Sequence, residues 1–258
     1  MKAPHLSPVA PWNSPPETFV LGRNDVHVWQ ASLEQNPSQI QSFLHHLSAD
    51  ERSRADRFYF ARDREHFIVA RGVLREILGC YLKQAPKSLC FCYGSHGKPA
   101  LAGEFDGEAI HFNVSHSHGI ALYAISRGRA VGIDIERIRF DLPVAEIAER
   151  FFSKREDAML RSLPTDVQHQ AFFRCWTRKE AYSKARGEGL SLPLDQLDTL
   201  TSEKLDAAPG AERGSGEASR WSLQEIVPAS GYVAALAVEA HDWRLACWQW
   251  PDARRQSV

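Results

Sequence analysis

No stretch of the 258 residues approaches the ~20-residue apolar run that a bilayer span requires. The N-terminal segment MKAPHLSPVAPWNSPPETF is rich in proline but lacks the apolar core of a signal peptide, so it reads as a loose lead-in to a cytoplasmic protein. Cysteine is sparse. The five residues Cys80, Cys90, Cys92, Cys175 and Cys247 form no C-x-x-C pair, which argues against a disulfide framework and for reduced thiols. Cys90 and Cys92, alternating in LCFCY as strand residues do, are expected to be buried and structural rather than metal-binding. Charge of one sign is lacking too: the formal net charge is -1, with 43% hydrophobic and 24% charged residues, as in an ordinary soluble globular protein. Arginine recurs in ERSRADRFYFARDREHFIVARGVLRE (Arg52, Arg54, Arg57, Arg62, Arg64, Arg71, Arg75), enough for an anionic small ligand or acidic partner. Acidic residues interleave with it, so a solvated helical face is the alternative, and no nucleic-acid or membrane partner is expected.

The length suits one large domain or two modest ones. VHVWQ (26–30) reads as a first strand, and SADE (48–51) as a capping box, in which a serine hydroxyl and a glutamate satisfy each other's free amides at a helix start. Phe67, Ala70, Val73, Leu74, Ile77, Leu78, Tyr81 and Leu82 keep the spacing of a buried helical stripe. SLCFCYGSHGKPAL and IHFNVSHSHGIALYAIS follow as strands with glycine-bearing turns. After VGIDIER the order recurs, with SKRE (153–156) and TDVQ (165–168) as further capping boxes before a long helix. GIALYAIS at Gly119 and GYVAALAV at Gly231 look like counterparts. The expectation is an α+β chain built from two copies of one unit joined near Gly128, a first lobe over 20–129 and a second over 130–250. Residues 1–19 and 251–258 flank these lobes, and the small, polar stretch 205–220 is read as a mobile loop.

VGIDIER places Asp134 and Glu136 two positions apart, hence on one face of a strand. Like charges this close persist if solvent screens them or if something positive sits between them. A hard cation such as Mg²⁺, which takes one or two carboxylates plus substrate phosphates, is the functional reading, and a solvated strand end is the bland one. On the helix DVQHQAFFRCWTRKEAYSKARGEGL, the residues Phe173, Trp176, Glu180, Lys184 and Gly187 share a stripe that starts apolar and turns charged. Glu180 and Lys184 are either a surface pair worth a few tenths of a kcal/mol or part of a site continuing the buried line. Gly187 and Gly189 supply a left-handed end to the helix. HFNVSHSHG carries His111, His116 and His118, but in extended chain His111 faces away from the other two and no further ligand completes a zinc site. A phosphate-binding turn using Ser115, local amides and His116 fits better, and Lys98 in GSHGKPAL is a second candidate phosphate contact or simply a solvated turn lysine.

Taken in order, HGKPAL, FNVSHSHG, VGIDIE and WTRKEAYSKARGEGLSLPL resemble the 4'-phosphopantetheinyl transferases of the type that activates surfactin synthetase (Sfp type). The likeness runs from LSADERSRADRF to GYVAALAV, most of the chain. It implies a pseudo-twofold duplication of one lobe, with the active site in the cleft between lobes, coenzyme A as co-substrate and Mg²⁺, or alternatively Mn²⁺, as the metal. It also implies transfer of phosphopantetheine to a serine of an apo acyl or peptidyl carrier protein, with release of 3',5'-ADP, in fatty acid, polyketide or nonribosomal peptide biosynthesis. By resemblance Asp134, Glu136 and Glu180 hold the metal; Lys184 meets the phosphate; Ser115 and His116 form the serine-histidine contact to coenzyme A; Arg54 meets the 3'-phosphate; and Lys98 occupies the matching turn. Glu51 stands where the surfactin-type enzyme has a further basic residue, which leaves Arg52 or Arg71 to supply that charge. Glu180, Lys184 and His116 are the expected catalytic groups, with Glu180 as general base. Phe140, Leu142, Phe151 and Phe152 are candidates for an apolar patch receiving the carrier, and a monomer is expected. A coenzyme A or carrier-binding module without catalysis is the alternative.

Overall fold

The structure, a computed structural model, describes residues 12–103, 109–188, 192–200, 206–207 and 220–251. It is an α+β chain in which one order of elements occurs twice. In the first half, strand β1 (Asp25–Ser32) leads through two short helices, α1 (Pro37–His46) and α2 (Ala49–Ala55), into the 22-residue helix α3 (Ala61–Leu82). A small hairpin, β2 (Phe91–Tyr93) and β3 (Pro99–Leu101), precedes β4 (Ile110–Ser117) and β5 (Ile120–Arg127). In the second half, β6 (Val131–Arg137) leads through α4 (Val144–Phe151) and α5 (Lys154–Ser162) into α6 (Thr165–Arg186), again 22 residues. The short pair β7 (Leu197–Asp198) and β8 (Asp206–Ala207) precedes β9 (Trp221–Ile226) and β10 (Tyr232–Glu239). The sheets repeat as well, in the orders β1-β5-β4 and β6-β10-β9, with GIALYAIS and GYVAALAV as the two central strands. The last strand, β11 (Arg244–Gln249), departs from the repeat: it returns to the first sheet and pairs parallel with β1.

Both sheets are covered on both faces, which is why their central strands are apolar almost throughout. Val26, Val28, Leu122 and Ala124 of the first sheet pack with Val131, Ile133, Ile135, Leu236 and Val238 of the second, forming one core between the halves. The alternate residues Trp29, Ala31, Tyr123 and Ile125 turn toward α1 and α3. Ala235 and Ala237 turn toward α6. Burial on α3 extends well past a stripe and takes in Arg71 and Arg75, so these two arginines do not belong to a solvated face.

The reason is a buried acid that also recurs. The capping box at α2 is present, and its Glu51, 2% exposed, accepts the Ser48 amide (3.0 Å) while pairing with Arg71 (2.7 Å) and Arg75 (2.7 Å) on α3. The capping box at α5 is present too, and its Glu156 accepts the Ser153 amide (2.8 Å) while pairing with Lys179 on α6 (2.7 Å). Each half thus fixes its short helix to its long one with a glutamate that serves as both cap and counter-ion. Burial would raise Glu156, but Lys179 and the amides of Ser153 and Thr199 outweigh it and hold the carboxyl below the usual range. Lys179 also donates to the carbonyls of Leu194 (2.6 Å) and Leu197 (2.5 Å), anchoring the chain that leaves α6.

Three local expectations are corrected. TDVQ is no capping box: α6 begins one residue earlier, with Pro164 as its N-cap, and Gln168 donates to the Leu163 carbonyl (2.9 Å). Cys90 and Cys92 are exposed, because the two-stranded hairpin that carries them leaves one face in water. Phe152 is a core residue, 4% exposed and stacked on Phe172, so it forms no surface patch. Gly187 does close α6 in the left-handed conformation (φ 72°), while Gly189 and most of 205–220 lie outside the described residues.

Since Lys179 and Glu156 are both fully buried, Lys179→Met leaves an unpaired buried carboxylate and should cost roughly 3–5 kcal/mol in equilibrium urea unfolding. Arg161→Ala, where the arginine and its partner Glu149 are exposed and Asp157 is half-buried on the same short helix, should leave the midpoint near wild type. Equal losses in the two variants would contradict this account of the anchor.

Candidate active site

The cleft forms where β4 lies beside the edge of β6 that β10 leaves free. Asn113, Ser115 and Ser117 share one face of β4 and reach across to β6. The Ile133 amide donates to Asn113 Oδ1 (2.8 Å), the Arg137 amide to Ser117 Oγ (3.2 Å), and Ser117 Oγ donates to Glu136 Oε2 (3.1 Å). Ser115 Oγ donates to Asp134 Oδ1 (2.9 Å). The Asn-x-Ser-x-Ser alternation is thus the seam between the halves. Asn113 and Ser117 were not singled out by sequence reasoning, although their period of two was visible.

Above the seam lies α6, and it can come that close only because residue 132 is glycine. A Cβ there would stand 2.1 Å from the Ala181 carbonyl oxygen and 2.3 Å from the Ala185 nitrogen, both backbone atoms with no room to yield. This approach sets the Lys184 ammonium 2.5 Å from Asp134 Oδ1 and 3.0 Å from Ser115 Oγ. The positive group beside the strand carboxylates is therefore, in the first instance, Lys184, which pairs with Asp134. Asp134 is 3% exposed, and its second oxygen, Oδ2, is buried with no hydrogen-bond partner.

Glu180, one turn before Lys184, is half-buried, and burial pushes its carboxyl above the usual range, with Lys184 opposing and Asp134 reinforcing the shift. Glu136 is likewise raised, by burial first and then by Asp134. Asp134, Glu136 and Glu180 are thus a set of acids with more negative charge than Lys184 alone compensates. Among the described residues no three His, Cys, Asp or Glu side chains, Asp134, Glu136 and Glu180 included, stand close enough together to form a group that could hold a metal ion. The unpartnered Asp134 Oδ2 is the donor that fits a hard cation completing its coordination with phosphate oxygens. His116 leaves β4 on the other face, with its side chain at the surface. Partial burial, then Lys184 and His66, pull its pKa below the ordinary histidine value.

The remaining predicted contacts stand apart from this cluster. Arg54 is exposed, with its guanidinium 5.4 Å from the Phe67 ring centre. Arg71 is engaged by Glu51, lies 4.6 Å from the Phe91 ring centre and donates to the Tyr93 hydroxyl (2.5 Å). Glu51, at the position where the resemblance expects a base, is the partner of Arg71 and Arg75 and the counterpart of Glu156. Lys98 follows the tight turn at Gly97 (φ 77°) and donates to the carbonyls of Val131 (3.2 Å) and Ala185 (2.9 Å), so it ties the hairpin to the last turn of α6. His111 and His118 join no metal-ligating group among the described residues.

Burial lowers Lys98 from 10.5 to about 8. The unfolded chain then binds more protons than the folded one between those values, so the contribution of Lys98 to stability should increase as pH rises from 8 toward 10.5. The stability of wild type relative to Lys98→Met, followed by urea unfolding across that window, should move in favour of wild type. A flat difference would contradict the burial of the ammonium.

Two family models match the two halves. The model described as 4'-phosphopantetheinyl transferase superfamily matches residues 130–237, and that described as 4'-phosphopantetheinyl transferase, N-terminal, matches residues 28–127. The 4'-phosphopantetheinyl transferase HetI of Nostoc sp. is 40% identical over 243 residues, 93% of this chain and 98% of the relative. The 4'-phosphopantetheinyl transferase Sfp of Bacillus subtilis is 33% identical over 167 residues, covering 64% of this chain and 70% of the relative. The L-aminoadipate-semialdehyde dehydrogenase-phosphopantetheinyl transferase of Xenopus laevis is 30% identical over 174 residues, covering 63% and 57%. With two matching halves, a relative aligned along nearly its whole length and an acid–lysine cleft between repeated units, the chain belongs to the 4'-phosphopantetheinyl transferase superfamily, in its Sfp-type branch.

Proposed function

We propose that this transferase moves the 4'-phosphopantetheine of coenzyme A onto a serine hydroxyl of an apo acyl or peptidyl carrier protein. The observation that carries the reading is the Lys184 ammonium held between Ser115 and Asp134 beside a buried carboxylate oxygen that lacks a partner. Such a site stabilises a pyrophosphate: cationic and hydroxyl groups meet its oxygens, and carboxylates provide for a divalent cation.

In the reaction, the serine oxygen bonds to the β-phosphorus of coenzyme A as the bond from that phosphorus to the bridging oxygen breaks. The serine proton is lost, and 3',5'-ADP leaves with the electron pair. Lys184 and His116 stabilise charge on the phosphate oxygens, and Ser115 orients Lys184 by accepting its hydrogen bond. Glu180 takes the serine proton, directly or through water; its place on α6 close enough to Asp134 for that charge to help raise its carboxyl supports that role. Asp134, Glu136 and Glu180 would hold Mg²⁺, with Mn²⁺ as a substitute, and the cation would supply neutralisation of the pyrophosphate charge. Phosphoryl transfer asks chiefly for positioning and electrostatic stabilisation, both of which these groups furnish. Arg54 and Lys98 remain the proposed contacts for the outer phosphates, and Arg71 supports that wall from within its pair with Glu51.

One chain supplies both walls of the cleft, so the proposed working unit is a monomer. The proposed setting is the cytoplasm, where the exposed thiols of Cys80, Cys90 and Cys92 stay reduced.

Intact-mass measurement of apo acyl and apo peptidyl carrier proteins, each incubated with the protein, coenzyme A and Mg²⁺, should show the gain of one phosphopantetheine. Asp134→Ala should abolish it. Glu180→Gln should lower turnover by on the order of 10²-fold or more, the scale of lost proton transfer. No gain on any carrier, with coenzyme A still bound, would favour a binding module. Near-normal turnover of Glu180→Gln would remove it as the base.

A further inference from the structure

Among the described residues the β2–β3 hairpin pairs with no third strand, yet it reaches from one half of the chain to the other. Its two strands are three residues each, too short to hold a shape in water by their own pairing. What fixes the hairpin lies outside it, on both sides.

On the inner side the fixing groups belong to α3. Arg75 donates to the carbonyls of Pro86 (2.9 Å) and Leu89 (3.0 Å), holding the chain where it enters the hairpin. Phe91 lies against both α3 arginines, its ring centre 4.6 Å from the Arg71 guanidinium carbon and 5.0 Å from that of Arg75. Two residues on, the Tyr93 hydroxyl accepts a hydrogen bond from Arg71 (2.5 Å). One guanidinium, buried and paired with Glu51, thus holds two successive positions on the same face of β2. Arginine suits this task because its plane stacks on a ring while its edge donates. Tyr93 stands opposite Pro99 in the ladder, next to Lys98, so this hydroxyl is the hold of α3 nearest the turn.

On the outer side the fixing groups belong to the second half. The Gly97 amide donates to the Gly94 carbonyl (2.9 Å) and the Gly94 amide to the Lys98 carbonyl (2.9 Å), which closes the turn and sends the Lys98 side chain away from α3. Its ammonium joins two elements at once: Val131 is the first residue of β6, and Ala185 lies in the last turn of α6. The Ala185 carbonyl is one of the terminal carbonyls without an intrahelical amide, and the helix dipole favours a cation there. The lysine stem passes Gly187, where a Cβ would stand 3.4 Å from Lys98 Cδ. Lys98 therefore fastens the same two backbones that meet at Gly132, and does so at the residue following Lys184. Two of its N–H groups are engaged, leaving the third for the phosphate contact proposed above.

We infer that the β2–β3 hairpin is a strap that holds the coenzyme A site in register, with Arg71 and Tyr93 as positioning residues that act on Lys184 through Lys98. The inference rests on the transferase reading and deepens it. Neither Arg71 nor Tyr93 has to touch coenzyme A. The hold of α3 on Tyr93 sets where the turn stands, the turn sets Lys98, and Lys98 sets the last turn of α6 against β6. The buried Glu51–Arg71 pair of the first half is thereby linked to the lysine that meets Asp134 and Ser115.

The test is a double-variant cycle in the full chain: Tyr93→Phe, which removes only the hydroxyl, Lys98→Met, which frees the outer end, and both together. Lys98→Gln is run in parallel as a second freeing variant, and thermal unfolding checks that each protein is folded. Coenzyme A affinity is read by calorimetry with Mg²⁺ present, and transfer to apo acyl and peptidyl carrier proteins is read with coenzyme A and carrier varied separately. In the wild-type background Tyr93→Phe should weaken coenzyme A binding and lower kcat/KM for coenzyme A about fivefold, leaving the carrier KM unchanged. In either Lys98 background the same substitution should change both quantities less than about twofold, because the strap is already free. Equal effects in all backgrounds would mean that Tyr93 acts locally or on the ligand itself, and would overturn the strap. No effect in the wild-type background overturns it as well, and normal transfer by wild type leaves the transferase reading intact in both cases. A wild type that shows the cycle in its coenzyme A affinity but modifies no carrier sustains the strap and overturns the transferase reading. A wild type that binds no coenzyme A overturns both.

Discussion

The missing Cβ at Gly132 is the constraint on which the cleft depends. It lets the backbone of α6 rest on β6 at a distance that no other residue allows, and the side chains one turn away inherit that registration. Lys184 therefore meets Asp134 and Ser115, on strands from different halves, in one contact. The Asn113, Ser115 and Ser117 alternation closes the seam below it by satisfying β6 groups that no neighbouring strand pairs. Polar side chains at the boundary of two apolar cores are costly unless matched, and here each one is matched by the opposite half.

Duplication supplies the scaffold and explains a residue that the family likeness left anomalous. Glu51 is not a failed phosphate ligand. It repeats the office of Glu156: a capping-box glutamate, buried against cations of the long helix. The two halves have kept this device while diverging around it, with two arginines in one case and a lysine in the other. In the second half the lysine immediately precedes Glu180, so the structural anchor and the cleft carboxylate are neighbours on one helix. Stability of the scaffold and placement of the chemistry are coupled at that point.

Much of this was legible from residue spacing. A period of two was enough to set Asp134 and Glu136 on one face, and a period near four set Glu180 and Lys184 on another, because both depend only on backbone geometry. The capping boxes at Ser48 and Ser153 were readable for the same reason. What escaped depended on contacts distant in sequence. The exposure of Cys90 and Cys92 follows from a hairpin that no third strand covers, the burial of Arg71 and Arg75 from an acid some twenty residues earlier, and the return of β11 to β1 from pairing across most of the chain. At Thr165 a local pattern existed but Pro164 began the helix first.

The acids beside Lys184 are proposed to bring a divalent cation to the coenzyme A pyrophosphate. Calorimetric titration of coenzyme A, with and without Mg²⁺, into wild type and Asp134→Asn tests it most directly, since the amide keeps the shape of the side chain while removing its charge. Mg²⁺ should tighten coenzyme A binding to wild type, and this tightening should be lost in the variant. The same tightening in both proteins would contradict it.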